Sequence, residues 1–123
     1  MDAADVVTKF WATCEARDWD GFGRLLADDV VYEVPQTRER VRGRAGVVRF
    51  TAEFPGAWHL ALERVVGDAA AAASRINFTL EGTEQTGLAF FELDHDGLIA
   101  RIEDYWPERY EPPPGRAHLA ERF

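Results

Sequence analysis

The chain has 123 residues and a formal net charge of -8, with 22 acidic against 14 basic side chains. This length suits one domain with a substantial core, and a hydrophobic fraction of 46% excludes a disordered chain. The acidic balance argues against nucleic acid as a partner, because a phosphate backbone requires a basic surface. No apolar run is long enough to cross a membrane, and the acidic N-terminus does not resemble a signal peptide, so we expect a cytoplasmic protein.

Cofactor chemistry has no recognisable motif in this chain. Cys14 is the single cysteine, and it falls within an apolar helical pattern, so we expect a buried small side chain and no internal disulfide. The His and Cys residues do not have the spacing of metal ligands. The segment Gly43-Arg44-Ala45-Gly46 lacks the lysine and the length of a phosphate-binding loop. We therefore expect no metal, no nucleotide and no other cofactor.

The first half of the chain is mainly helical in its pattern. Apolar residues recur at spacings of three and four in the first segment, and Asp2 can cap it. Asp18 or Asp20 can cap a second, short helix. A β-branched run stopped by Pro35 predicts a strand, and Pro55-Gly56 ends a third helix. The predicted order is helix 3–16, short helix to 26, strand 30–34, polar loop 36–42 and helix 43–54.

The second half is predicted to be a sheet. Four long segments, mostly separated by glycine turns, indicate an antiparallel meander of strands at 58–66, 70–81, 84–94 and 97–106. Helices followed by strands predict an α+β fold, with the helices on one face of a curved sheet. From Pro107 onward the proline-rich tail predicts an extended arm, with a short turn of helix at 117–123.

The last predicted strand carries an unusual acid. Alternation puts Leu98, Ala100, Ile102, Asp104 and Trp106 on one face, while residues 99, 101, 103 and 105 share the other. If the apolar face is buried, the pKa of Asp104 rises and the carboxyl can act as an acid or a base. If the strand end is solvated, Asp104 is only a surface charge. The alternation alone leaves both interpretations open.

Several segments together resemble one known fold family. They are 16–22, 26–30, Pro35 followed by 43–47, Asp96-Gly97-Leu98-Ile99, and Asp104-Tyr105-Trp106. In this order they are similar to the nuclear transport factor 2-like superfamily, and within it to the branch of SnoaL-like polyketide cyclases and limonene-epoxide-hydrolase-like proteins. The resemblance implies a cone-shaped domain at 1–106, an arm at 107–123 and a homodimer formed through the sheet.

The resemblance also tests several chemistries of that superfamily. Steroid isomerases in it need proton-handling groups at positions that match Phe10, Val34 and Ala89, and none of these can exchange a proton. Dehydratases with paired histidines fit poorly, because the histidines here are predicted to lie in a strand, a turn and the tail. Those histidines are His59, His95 and His118.

Epoxide hydrolases of the superfamily fit better. Arg75-Ile76-Asn77 is similar to their Arg-x-Asp motif with Asn in place of Asp, and Asp104 matches the acid of their last strand. Their polar pair falls on Val31 and Glu33, whereas Tyr32 faces the pocket only if a bulge shifts the register. A guanidinium close to Asp104 is expected to lower the pKa of that carboxyl and to favour a base, although the pair could equally be a structural ion pair.

The resemblance implies an enzyme that needs no cofactor and performs acid–base cyclisation, isomerisation or hydrolysis on a small, hydrophobic, oxygenated molecule. The alternative is a non-catalytic ligand-binding or dimeric assembly domain with a vestigial site. Glu33 could instead be an edge charge, and His59 a surface side chain. The candidate catalytic residues are Asp104, Arg75 and Asn77, and the candidate substrate-binding residues are Glu33, Tyr32, His59, Phe10, Trp11, Phe54, Phe90 and Trp106.

Overall fold

The computed structural model describes all 123 residues. Three helices pack on one face of a six-stranded mixed sheet, which confirms the predicted α+β cone fold. The strand order is β2-β1-β6-β5-β4-β3, in which β1 and β6 are parallel and all other neighbours antiparallel. None of the helices has the length and apolar character needed to span a membrane. The elements are α1 (Ala3–Ala16), α2 (Trp19–Arg24), β1 (Leu26–Val34), β2 (Glu39–Arg42), α3 (Arg44–Ala52), β3 (Trp58–Gly67), β4 (Ala71–Leu80), β5 (Thr83–Leu93) and β6 (Ile99–Tyr105).

Helix α1 is the element that closes the cone. Asp2 and Asp5 form a reciprocal capping box at its start, and Arg17 ends it in the left-handed conformation. The predicted apolar side chains of α1 are buried against the sheet. The indole Nε1 of Trp11 donates a 3.0 Å hydrogen bond to Oγ of Ser74 on β4, so the inward face of α1 is fixed to the sheet by a buried polar contact.

Two boundaries differ from the sequence prediction in the first half. Strand β1 begins at Leu26 instead of residue 30, and the segment predicted as a loop contains strand β2. After Pro35 the chain reverses through a turn in which Arg38 has a φ of 64°, and β2 then pairs antiparallel with the end of β1. The prediction of a loop at 36–42 is wrong there because β2 is a short edge strand rich in charge, which has no apolar alternation to reveal it.

A β-bulge changes the face assignment in the last strand. Glu92 pairs with Arg101 but Leu93 pairs with Ile99, so Ala100 is an extra residue. Ile99 is therefore fully buried, and the predicted placement of Leu98 and Ala100 on the face of Ile102 is wrong. From Arg101 onward the predicted alternation holds, and Ile102 and Asp104 both face inward.

The chain after β6 forms no further strand. It contains a short 3-10 helix at Ala117–Leu119, within the predicted helical turn, and an ion pair between Arg122 and Glu111 at 3.1 Å. The side chains of Tyr110, Leu119 and Phe123 are exposed. The apolar side chains of this segment therefore bury little surface against the rest of the domain.

The Trp11–Ser74 contact predicts the effect of a single substitution. Ser74→Ala removes the acceptor and leaves the buried indole N–H of Trp11 without a partner, which should cost about 1–3 kcal/mol of unfolding free energy. Chemical denaturation of Ser74→Ala, Trp11→Phe and the double variant measures it. The double variant should lose about 1 kcal/mol less than the sum of the single losses, and simple additivity would contradict the assigned hydrogen bond.

Candidate active site

Asp104 lies at the centre of the candidate site. Its residue is 2% exposed, and its strand position places it opposite Ala89 of β5. The hydroxyl of Tyr32 on β1 donates a short hydrogen bond to Oδ2 of this carboxyl. Tyr32 can reach it because the pairing of β1 with β6 is irregular between Leu26 and Val31. The register shift on which the inward position of Tyr32 depends is therefore present, and Tyr32 faces the cavity.

The second oxygen of the carboxyl has no partner with regular hydrogen-bond geometry. Oδ1 of Asp104 is buried, and the indole N–H of Trp106 lies close enough to the carboxyl to lower its pKa without making a regular hydrogen bond. Burial raises the pKa of Asp104 from its ordinary value of 3.8 to about 7, although the hydrogen bond from Tyr32 and the nearby Trp106 indole oppose the rise. Burial, together with the adjacent carboxyl, holds the pKa of Tyr32 well above its usual value. Near neutral pH Asp104 therefore exists in both protonation states, while Tyr32 keeps its proton.

A cavity of about 300 Å³ lies between the helices and the inner face of the sheet, and Asp104 and Tyr32 both line it. Its volume is at the lower end of the range for small-molecule sites. The wall is mostly apolar and aromatic, and no Lys, Arg or His contributes to it. Besides Asp104 and Tyr32, the lining consists of Phe10, Trp11, Cys14, Val34, Phe50, Phe54, Trp58, Leu60, Ile76, Phe78, Leu80 and Trp106, with the polar Thr37, Glu39, Thr51 and Gln85.

Cys14 is buried, as predicted, and it also lines the cavity. Burial raises the pKa of its thiol to about 12, with the Arg17 guanidinium opposing the rise. The thiolate that a nucleophilic cysteine needs is therefore scarce at neutral pH. Asp104, in contrast, has a pKa near 7 and can exchange its proton at neutral pH.

Five of the predicted substrate-binding residues meet Asp104 in this cavity. They come from α1, from β1 and from the segments that follow α3 and β6, and the tertiary fold brings these parts of the chain together. They are Phe10, Trp11, Tyr32, Phe54 and Trp106.

The predicted partnership of Arg75 and Asn77 with Asp104 is wrong. Ser74, Ile76 and Phe78 are the buried residues of this part of β4, so Arg75 and Asn77 lie on the opposite, outer face. The guanidinium of Arg75 instead lies 3.6 Å from the Glu63 carboxylate, and both side chains are about half exposed. No guanidinium approaches Asp104, so its pKa is raised by burial and not lowered by charge as the sequence analysis expected.

Three further predicted lining residues also lie outside the cavity. Glu33 is on the outer face of β1, where its carboxylate pairs with Arg40 at 2.6 Å and with Arg101, as its alternative interpretation as an edge charge required. These arginines lower the pKa of Glu33. His59 is exposed and its Nδ1 is 2.8 Å from Glu15. Phe90 is 54% exposed because it occupies an outward position of β5.

Other lining residues were not identified from the sequence. Ile76, Phe78 and Leu80 occupy alternate positions of β4, and Leu60 is the partner of Phe78 on β3. Their apolar alternation in the sequence is a signal that could have placed them on the inner face of the sheet. Glu39 had no such signal, because it belongs to the strand that was predicted as loop. Its carboxylate accepts a 2.5 Å hydrogen bond from Oγ1 of Thr37.

The buried carboxyl predicts a specific dependence of stability on pH. Between about pH 4 and pH 7 the folded chain keeps the Asp104 proton while the unfolded chain loses it, so the free energy of unfolding should fall as pH rises through this interval. Asp104→Asn should remove this fall and be more stable than the parent above pH 7, by on the order of 2–4 kcal/mol. Denaturant unfolding at several pH values measures both curves.

Asp29→Asn is the matched control for that measurement, because Asp29 is an exposed aspartate of the same chain. Asp29→Asn should show the same fall in the free energy of unfolding between about pH 4 and pH 7 as the parent protein. Parallel curves for the parent and Asp104→Asn would show that the Asp104 pKa is ordinary in the folded state.

Comparison with known proteins places this geometry in a family. The model of the SnoaL-like domain matches residues 7–102. A crystal structure of a provisionally assigned ketosteroid isomerase from Kribbella flavida is 47% identical, covers 98% of this chain and 88% of its own, and has a TM-score of 0.91. No curated protein gives a significant match.

More distant structures share the fold. An epoxide hydrolase of the limonene-epoxide-hydrolase-like type from M. tuberculosis is 24% identical, with a TM-score of 0.71 and coverage of 85% of this chain and 82% of its own. A provisionally assigned polyketide cyclase from Sinorhizobium meliloti is 23% identical, with a TM-score of 0.71, and the match covers 81% of this chain and 93% of its own. With the family model spanning most of the residues that build the cone, the chain belongs to the SnoaL-like domain family.

Proposed function

We propose that this protein is an acid–base enzyme that needs no cofactor and acts on a small, mainly apolar, oxygenated molecule. Asp104 is the proton-transfer group, and Tyr32 holds its carboxyl in place. The observation that supports this most directly is a buried carboxyl with one unpartnered oxygen in the wall of an apolar cavity. Leaving such an oxygen without a hydrogen bond costs stability, and functional sites are where such costs are usually found.

The protonation chemistry of Asp104 favours certain reactions. In its ionised form the carboxyl can take a proton from a carbon or oxygen next to a carbonyl group, and it can return that proton to another atom of the same molecule. Such a sequence conserves the composition of the substrate, so it leads to isomerisation or to an intramolecular cyclisation. Hydrolysis would need water as a second reactant and a further group to activate it, which makes it the less favoured of the three reactions.

The described activity of one structural relative supports isomerisation only in part. The relative from Kribbella flavida is described as a provisionally assigned ketosteroid isomerase. In the present chain the three positions that match proton-handling groups of steroid isomerases are Phe10, Val34 and Ala89, and all three are buried and apolar. Any isomerisation here therefore depends on Asp104, and Arg75 and Asn77 take no part in it because they lie on the outer face of β4.

The proposal can be tested without the natural substrate. Exchange of the α-protons of α-tetralone in deuterated buffer, followed by NMR, reports removal and return of a proton next to a carbonyl. The parent protein should accelerate this exchange above the buffer rate, and Asp104→Asn should lose roughly 10²-fold or more of that acceleration. Glu92→Gln, which changes an exposed carboxylate on the outer face of β5, should retain the full rate.

The same assay gives a second readout on Tyr32. Tyr32→Phe removes the hydrogen bond that opposes the burial effect, so the pH at which the rate rises should move upward. Full exchange activity in Asp104→Asn would contradict the proposed role of Asp104. It would favour the alternative of a non-catalytic ligand-binding or assembly domain with a vestigial site.

We also propose that the protein forms a homodimer through the outer face of the sheet. Val66, Leu88 and Phe90 are exposed on this face, and the Phe90 ring packs on Tyr105 with centroids 6.0 Å apart. An apolar group of this kind on a charged protein is typical of an interaction surface. A homodimer is compatible with both the enzymatic and the assembly function.

A charge on this outer face should prevent dimerisation. Phe90→Glu is expected to sediment as a monomer at micromolar concentration with an unchanged circular dichroism spectrum, because an unpaired carboxylate is costly to bury in an interface. His95→Glu in the exposed turn is the control and should remain dimeric. A parent protein that is already monomeric would contradict this proposal.

A further inference from the structure

Glu39 is a carboxylate at the cavity that no basic group neutralises. It is exposed, it belongs to the cavity lining, and its hydrogen-bond partner is the hydroxyl of Thr37. Arginines flank it in the sequence, yet Arg40 pairs with Glu33, and Glu39 forms no ion pair. The Thr37 contact restrains the side chain of Glu39, so its charge is held at the cavity instead of being turned to a neighbouring arginine.

The cavity as a whole has the charge and the surface that suit a cation. Two of its lining residues are acids and none is basic, and the Arg17 guanidinium beside the wall is already held by the carbonyl oxygen and the ring of Trp58, so an anionic group in the cavity would meet repulsion. Eight of the lining residues are aromatic, and aromatic faces attract ammonium groups. The net charge of -8 would also favour the approach of a cation at low ionic strength.

We propose that Glu39 is a specificity-determining residue and that the ligand is an apolar ring compound carrying a basic amine, whose ammonium group pairs with Glu39 while its ring system occupies the cavity. This inference rests on the proposed function and extends it by naming the substrate class. The exposed Glu39 binds the ammonium group, and the buried Asp104 stays available for proton transfer. The two acids thus have different roles toward one molecule.

A matched set of three compounds tests this assignment: 2-(2-naphthyl)ethylamine, 2-(2-naphthyl)ethanol and the carboxylate of 2-naphthylacetic acid, called the acetate below. They share one ring system and differ in the charge of the terminal group. By calorimetric titration at neutral pH and low salt, the amine should bind about three- to tenfold more tightly than the alcohol, as expected for an ion pair near the surface with an aromatic contribution. The acetate should bind more weakly than the alcohol.

Two variants locate the group responsible. In Glu39→Gln the preference for the amine over the alcohol should fall to about equal affinity, and in the parent it should shrink when salt is raised. Glu53→Gln, which changes an exposed acid outside the cavity, should keep the preference. Equal binding of amine and alcohol by the parent, tighter binding of the acetate, or failure of the amine to bind would each overturn the proposal.

Asp104→Asn separates this proposal from the proposed function. It should keep most of the preference for the amine, because the direct ion pair is assigned to Glu39 and Asp104 adds only to the overall negative charge of the cavity, while the exchange of α-tetralone protons is lost. If the preference survives in Glu39→Gln and disappears in Asp104→Asn, the ammonium group binds Asp104 and the assignment to Glu39 is wrong. If the preference depends on Glu39 but Asp104→Asn keeps full exchange activity, the amine specificity stands and the proton-transfer role fails.

Discussion

The site depends on the desolvation of one carboxyl. Asp104 is almost fully buried, a single hydrogen bond from Tyr32 is made to one of its oxygens, and no basic group is close enough to compensate its charge. Such a group destabilises the fold when it is ionised, and its pKa rises toward neutrality as a result. The same condition that costs stability gives the carboxyl two accessible protonation states in the range where enzymes work. A guanidinium at this point would have removed both effects.

Irregularities in the sheet create this environment. The register of β1 against β6 shifts between Leu26 and Val31. Without this shift, a side chain other than Tyr32 would point toward Asp104. The extra residue Ala100 buries Ile99 and keeps Ile102 and Asp104 on the inner face. Bulges of this kind are common next to functional sites because they redirect side chains without changing the strand order. In this molecule they decide which polar groups enter an otherwise apolar cone.

Much of the fold could be predicted from the sequence, because helix α1 and the meander follow from periodicity and turn chemistry. Alternation also put Asp104 on the apolar face of the last strand, but it left the burial of that face open, and the bulge at Ala100 interrupts the alternation before Arg101. The partners of Asp104 could not be predicted in this way. Arg75 and Asn77 were assigned by resemblance to a motif, although the alternation of apolar Ile76, Phe78 and Leu80 already favours an outward position for them, as the structure shows. Tyr32 and Glu39 depend on a register shift and on an edge strand, and neither leaves a pattern in the sequence.

The proposed chemistry requires that Asp104 titrates near neutral pH because it is buried without a counterion. The carboxyl carbon of a selectively labelled aspartate, followed by NMR across the pH range and assigned with Asp104→Asn, measures this ionisation directly. We expect a midpoint at about pH 7 for this carboxyl, well above the ordinary value of 3.8. A midpoint close to the ordinary value would mean that the carboxyl is solvated or paired, and a proton-transfer role based on its burial would then be wrong.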